Sequence, residues 1–249
     1  MTKIHCSALS LGSGVELYHV GPSLDVGELP AVFYFALSGP DSLCLDPYNQ
    51  LIPFLLENQV RTFSLTLPAH EQGLPPTEAL KVWAEDLVRG RQPLEEFLDQ
   101  AQSAIEMVFH QRLVERDRLA VAGLSRGGLI AGLLAAREKR IKKVLGFAPV
   151  TKLALAKEFH EIPHLVSSYD LSQHAAALAD RQIRFIIGNR DTRVSTRACF
   201  ECIEKLVEAA HEQKIRSAPI ELILTPSIGQ HGHGTTMETF RQGAQWISS

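Results

Sequence analysis

Two hydrophobic rhythms alternate along the chain. Ala31-Val-Phe-Tyr-Phe-Ala-Leu37 is continuous and rich in β-formers, which predicts a central strand buried on both faces. Val60–Leu67, Leu119–Ala122, Ile141–Ala148, Arg181–Gly188 and Pro219–Thr225 read as further strands. Between them the apolar positions recur at helical spacing. Leu51–Asn58, Thr77–Arg89, Pro93–Leu113, the stretch from Arg126, Ser195–His211 and a last segment from about Thr236 to Ile247 are predicted helices. In Pro93–Leu113 the residues Leu94, Phe97, Leu98, Ala101, Ile105, Val108 and Phe109 share one face, a core stripe that needs no functional explanation. Residues 1–28 alternate weakly around Gly12, Gly14, Gly21 and Pro22, as an antiparallel edge would. Strands alternating with helices predict an α/β fold with a mostly parallel sheet and helices on both faces.

Residues 151–180 break the rhythm. They contain Pro163, Ser167-Ser168 and the histidines His160, His164 and His174. The segment is too long for a simple connection and is expected to be a short cap insertion over the strand ends, within a single domain spanning 1–249. The spacing of its histidines matches no familiar metal motif, so packing or surface roles are expected.

One strand-to-helix junction carries chemistry. Gly123-Leu-Ser125-Arg-Gly127 places a serine between glycines, after an apolar strand and before a helix. Such a sharp turn lifts a hydroxyl above the sheet edge, and small neighbours leave it room. The helix start beyond it aims free N–H groups at developing negative charge, so the Arg126 N–H is a candidate oxyanion donor. Ser38, in the turn after the first long strand, is the candidate second donor; Pro40 has no N–H to offer. Asp191 follows the strand ending at Gly188 and is the candidate acid that orients a histidine. The loop after the last strand, Gln230-His-Gly-His-Gly234, offers two bases. His233, flanked by Gly232 and Gly234, is preferred over His231. His70, at another strand end, is expected to be structural.

The order Ser125, Asp191, His233 is that of the α/β-hydrolase fold. Within that fold the sequence resembles the dienelactone hydrolase and prolyl-oligopeptidase-like esterase branch. The resemblance runs from Leu29 to Trp246, through Leu29-Pro-Ala-Val-Phe-Tyr-Phe, Leu67-Pro-Ala-His70, the serine turn, Gly188-Asn-Arg-Asp191 and His233-Gly-Thr-Thr. Such proteins often carry His-Gly after the first long strand; Ala36-Leu37 stands there instead, with Ser38 in the donor position. The resemblance implies a serine hydrolase that cleaves a carboxylic ester, or a similar acyl bond, of a small molecule. Peptidases, thioesterases and acyltransferases use the same triad, and a non-catalytic binding protein is the alternative outside enzymes.

Composition narrows the partners. The net charge of −3 and the absence of a basic block point away from nucleic acid and anionic membranes. No apolar run suits a signal region or a membrane span, so a cytoplasmic protein is expected. Cys6, Cys44, Cys199 and Cys202 are too sparse for a disulfide framework, and Cys199-x-x-Cys202 lies in a predicted helix without a second pair. No cofactor or metal is implied, and the expected ligand is a small acyl substrate. Arg126, Arg190 and Arg193 near the expected site are candidates to bind an acidic group of a substrate, with solvation or pairing with nearby carboxylates the preferred reading.

Overall fold

A computed structural model describes residues 4–12, 14–71 and 74–249. Its strands are β1 (Ser7–Ser10), β2 (Glu16–Val20), β3 (Leu29–Phe35), β4 (Arg61–Ser64), β5 (Val114–Leu124), β6 (Ile141–Phe147), β7 (Gln182–Gly188) and β8 (Ile220–Thr225). They form one open sheet in the order β1-β2-β4-β3-β5-β6-β7-β8. β2 runs antiparallel to β1 and to β4, and every pair from β4 onward is parallel. Parallel neighbours need crossovers, which the helices supply: α1 (Gly39–Cys44), α2 (Ile52–Glu57), α3 (Ala79–Val88), α4 (Pro93–His110), α5 (Arg126–Arg137), α6 (Ala175–Leu178), α7 (Thr196–Glu212) and α8 (Met237–Ser248).

The continuous apolar run of β3 is explained by burial on both faces. Phe33 and Phe35 join a core with Phe63 and Val121 that α3, α4, α5 and α7 cover. Val32 and Tyr34 point the other way, into a second core with Leu55 of α2 and Phe240, Ala244 and Ile247 of α8. Register then aligns the strand ends. Phe35 lies opposite Gly123, Leu124 opposite Phe147, and Gly188 opposite Thr225. The turns leaving β3, β5, β7 and β8 therefore open at one edge of the sheet, where open α/β sheets bind ligands.

Three elements differ from expectation. β5 begins at Val114, not Leu119, because Glu115–Arg118 extend it beyond the covered part of the sheet and carry no apolar pattern. Ser38–Ser42, read as a loop, contains α1: the Ser38 side chain accepts from the Asp41 N–H at 3.1 Å, and Pro40 sits in the first turn. Residues 151–180 form a chain of short 3₁₀ turns and α6. Phe159, Tyr169 and Leu171 of this segment are buried in the same core as α4 and α5, so its apolar residues turn into the domain. Among the described residues no helix is long and apolar enough to cross a membrane.

Candidate active site

At the β5–α5 junction Ser125 adopts φ 56° and ψ −115°. A non-glycine residue at positive φ costs of order 1–3 kcal/mol and persists only where its surroundings enforce it. Those surroundings are backbone. The Ser125 N–H donates to the Phe147 carbonyl at 2.8 Å, and its own carbonyl accepts from Gly128 and Val150 at 3.0 Å each. A Cβ on Gly123 would lie 2.1 Å from the Gly127 backbone, and one on Gly127 would lie 1.8 Å from the Phe35 carbonyl oxygen. Both glycines are thus required by close approach. Ser125 precedes α5 but makes no capping bond to it, which leaves its hydroxyl to the cleft.

That hydroxyl lies 3.0 Å from His233 Nε2, and His233 Nδ1 lies 2.7 Å from Asp191 Oδ2. A carboxylate only accepts, so Nδ1 carries the proton and Nε2 is left to accept from the serine. The other Asp191 oxygen, Oδ1, accepts from the Arg193 and Val194 N–H groups at 2.9 and 3.1 Å. The Asp191 N–H is held by Thr196 Oγ1 at 2.9 Å. Ser195 Oγ caps α7 by accepting from the Ala198 N–H, so the aspartate is not needed as the cap. The Asp191 side chain is fully buried and that of His233 only 11% exposed, which leaves this hydrogen-bonded chain little competition from water.

Two loops must meet for this chain to form, and their backbones touch. A Cβ on Gly188 would lie 2.5 Å from the Gly232 carbonyl oxygen; one on Gly232 would lie 2.3 Å from the Arg190 carbonyl oxygen. Ser227 ties the same loops together, accepting from the Arg190 N–H at 2.6 Å and donating to Asn189 Oδ1 at 3.0 Å. His231, the other candidate base, has an exposed side chain. Its carbonyl accepts from the Thr192 N–H at 2.9 Å, so it fastens the loop to the acid turn. The sequence reading missed this backbone role, for which the positive φ of His231 left no residue-type signal.

The serine opens into a cleft of about 380 Å³, in the range of small-ligand sites. Its walls include Pro47, Tyr48, Gln50, Pro76 and Thr77, and no residue of 151–180 contributes to them. The expected cap therefore does not cover the serine; its apolar residues are spent on the flank of α5. Ser38 is likewise not in this cleft. It caps α1 and lines a neighbouring cavity with Thr66 and His70. Leu37, one residue earlier, is on the serine's wall, and its N–H donates to the buried Ser42 Oγ at 2.9 Å. Arg126 lines the cleft through its side chain and begins α5, where the helix supplies no acceptor for its N–H.

Other candidates fall outside the cleft lining. His70 is buried, with Nδ1 bonded to the Pro68 carbonyl at 2.9 Å; burial and the Arg126 charge push it down to about 4, so it is neutral near pH 7. His160 and His174 bond separate backbone carbonyls, of Leu155 and Ser168. Cys199 and Cys202 are buried free thiols of α7, and burial raises both, Cys202 to about 12. Arg126 and Arg193 line the cleft without a carboxylate in ion-pair contact among the described residues; Arg190 and Arg193 are exposed and Arg126 is half-buried.

No protein-family model matches the chain, and comparison with curated proteins finds no match. Solved structures do match. TT1662 from Thermus thermophilus aligns over 100% of both chains with a TM-score of 0.74 at 19% identity. A cold-adapted esterase from an Arctic intertidal metagenomic library aligns over 100% of this chain and 94% of its own, with TM-score 0.68 and 17% identity. Est1E from Butyrivibrio proteoclasticus, solved with ferulic acid bound, aligns over 97% of each chain, with TM-score 0.68 and 14% identity. The chain has the α/β-hydrolase fold.

Proposed function

We propose that the protein is a serine hydrolase that cleaves a carboxylic ester of a small molecule through an acyl-serine intermediate. The observation that carries this reading is the continuous bonded chain Ser125–His233–Asp191 opening into a small-molecule-sized cleft. In the first half-reaction His233 Nε2 takes the proton as Ser125 Oγ attacks the ester carbonyl, and Asp191 stabilises the imidazolium. The resulting oxyanion is bound by the Arg126 N–H. The expected second donor, Ser38, caps α1 beside the cleft, and the neighbouring Leu37 N–H is already given to Ser42 Oγ at 2.9 Å, so the Arg126 N–H is the donor this reading rests on. His233 returns the proton to the leaving alcohol. Water, activated by the same histidine, then adds to the acyl-serine and releases the acid.

A peptidase is the second reading, favoured by the likeness to solved peptidases. The chain aligns over 99% of its length with a prolyl endopeptidase, at TM-score 0.67 and 17% identity, but spans only 37% of that protein. The test is labelling with a fluorophosphonate probe, read by intact mass, for wild type and the Ser125→Ala, His233→Ala and His231→Ala variants. One adduct on wild type and His231→Ala, and none on the other two, is expected. A panel of aryl esters and aminoacyl anilides then separates esterase from peptidase. Folded wild-type protein that takes no label would refute the hydrolase reading.

A further inference from the structure

A second cavity, of about 510 Å³, adjoins the serine's cleft, and Leu37 and Pro76 wall both. Its polar lining is Tyr18, Ser38, Asp41, Thr66, His70 and Glu71. The turn after β4 is built to place His70 there. Ala69 takes φ 60°, a left-handed conformation that a residue with a Cβ adopts only at a cost. The His70 N–H closes the turn on the Leu67 carbonyl at 3.1 Å.

The imidazole is 4% exposed and lacks one partner. Its Nδ1 lies 2.9 Å from the Pro68 carbonyl, which also accepts from Trp83 Nε1 at 2.8 Å. A carbonyl only accepts, so Nδ1 carries the proton and Nε2 is a bare acceptor. Among the described residues nothing donates to that buried Nε2. Neither Pro68 nor Trp83 lines the cavity, so the ring turns its other edge, with Nε2, toward it. A buried acceptor left unpaired is unfavourable, and a donor in the cavity would satisfy it.

The rest of the lining selects the donor. Asp41 and Glu71 bring carboxylates with no ion pair among the described residues, and no lysine or arginine is among the lining residues described. Arg126, which lines the serine's cleft, opposes positive charge at His70, and Asp41 favours it. Two carboxylates against that one guanidinium suit a cation. A hydroxyl would satisfy Nε2 but leave the carboxylates without a counter-charge, and a quaternary ammonium has no N–H to give. A primary ammonium supplies both, with three donors. The Tyr18 ring, so close to Gly39 that a Cβ there would lie 2.2 Å from its Cδ2, adds an aromatic wall.

Resting on the serine-hydrolase reading, we propose that this cavity is a substrate subsite for a primary ammonium group, held by His70 Nε2 and the Asp41 carboxylate while the carbon chain that carries it passes Leu37 and Pro76 to an ester carbonyl at Ser125.

The test adds primary n-alkylammonium ions, from butyl to decyl, to protein carrying isotope-labelled histidine. Alkanols and alkyltrimethylammonium ions of the same lengths are the controls: the first donates without the charge, the second carries the charge without a donor. Two signals are read, the NMR resonance of His70 Nε2 and the rate of fluorophosphonate labelling of Ser125. At a matching chain length the primary ammonium is expected to move the resonance and slow labelling at roughly tenfold lower concentration than either control, the worth of a hydrogen bond to a charged group. Asp41→Asn, which keeps the backbone N–H that Ser38 caps, should erase that advantage, and Glu71→Gln, at an exposed side chain, should reduce it. Equal effects in the three series, an unmoved resonance, or an undiminished advantage in either folded variant overturns the proposal. A moved resonance with unslowed labelling at every length also overturns it, since the cavity would then bind amines apart from Ser125. Failure of the hydrolase reading is seen separately, as folded protein whose Ser125 takes no label before any amine is added, and the proposal falls with it.

Discussion

Replacing Gly232 by alanine tests whether the site depends on contact between two backbones. Gly232 has φ +73°, and a Cβ there would lie 2.3 Å from the Arg190 carbonyl oxygen. Ordinary contact begins near 3.4 Å, so the His233 loop must retreat from the acid turn by about 1 Å. Misplacement of about 1 Å in a catalytic group costs on the order of 100-fold in rate, about 2.7 kcal/mol in the barrier. The positive φ adds a separate cost of about 1–2 kcal/mol to folding. Gly27 separates the two effects, since it has φ +90° and nothing within 4 Å of a built Cβ. Gly27→Ala should lose similar stability in urea unfolding and keep the wild-type rate of fluorophosphonate labelling. Gly232→Ala should label about 100-fold more slowly while still folded. Wild-type labelling by folded Gly232→Ala would refute the claim that these loops position the histidine.

Asp191→Asn retains an acceptor for the Arg193 and Val194 N–H groups but turns an amide toward His233 Nδ1, forcing the wrong tautomer. Turnover of an aryl ester should fall about 10⁴-fold with little change in Tm, and an active variant would remove the acid assignment. Burial, with the nearby Arg61 charge at His19 and the Arg126 charge at His70, pushes both histidines from 6.5 to about 4. The folded state therefore prefers them neutral, while the unfolded chain binds protons below pH 6.5. Their stabilisation is full above pH 6.5 and is lost as pH falls toward 4, by up to about 3 kcal/mol each. Urea unfolding at pH 7.5 and 4.5 should show this loss shrink in His19→Gln and again in the double variant with His70→Gln. Cys199 and Cys202, buried and with raised thiols, should react with a disulfide reagent only on unfolding, as rapid native-state modification of either would contradict.

Legibility in the sequence followed the range of the causes. Val32 and Phe33 reveal a strand covered on two sides because each must be apolar for a different core. Gly123 reveals the serine turn because sterics within five residues demand it, a built Cβ meeting the Gly127 backbone, whereas Gly127 is demanded by the Phe35 carbonyl on the neighbouring strand. The order of acid and base was legible because each lies just beyond a strand whose end the parallel register fixes. The choice of His233 over His231 rested on flanking glycines, and the structure shows a different reason for Gly232: it faces Arg190, not the imidazole.

The cleft walls were not legible, for physical reasons that also bear on specificity. Pro47–Gln50 and Pro76–Thr77 reach the serine from loops far away in sequence, and no periodicity marks them. The segment 151–180 has the length of a cap, but Phe159, Tyr169 and Leu171 bind it to the core beside α5, where a Cβ on Gly132 would lie 2.8 Å from Leu171. An apolar side chain buried against α5 cannot also roof the cleft. Among the described residues the cleft wall is drawn instead from Pro47, Tyr48 and Gln50 ahead of α2 and from Pro76 and Thr77 ahead of α3, so the space beside Ser125 is bounded by these loops and not by residues 151–180.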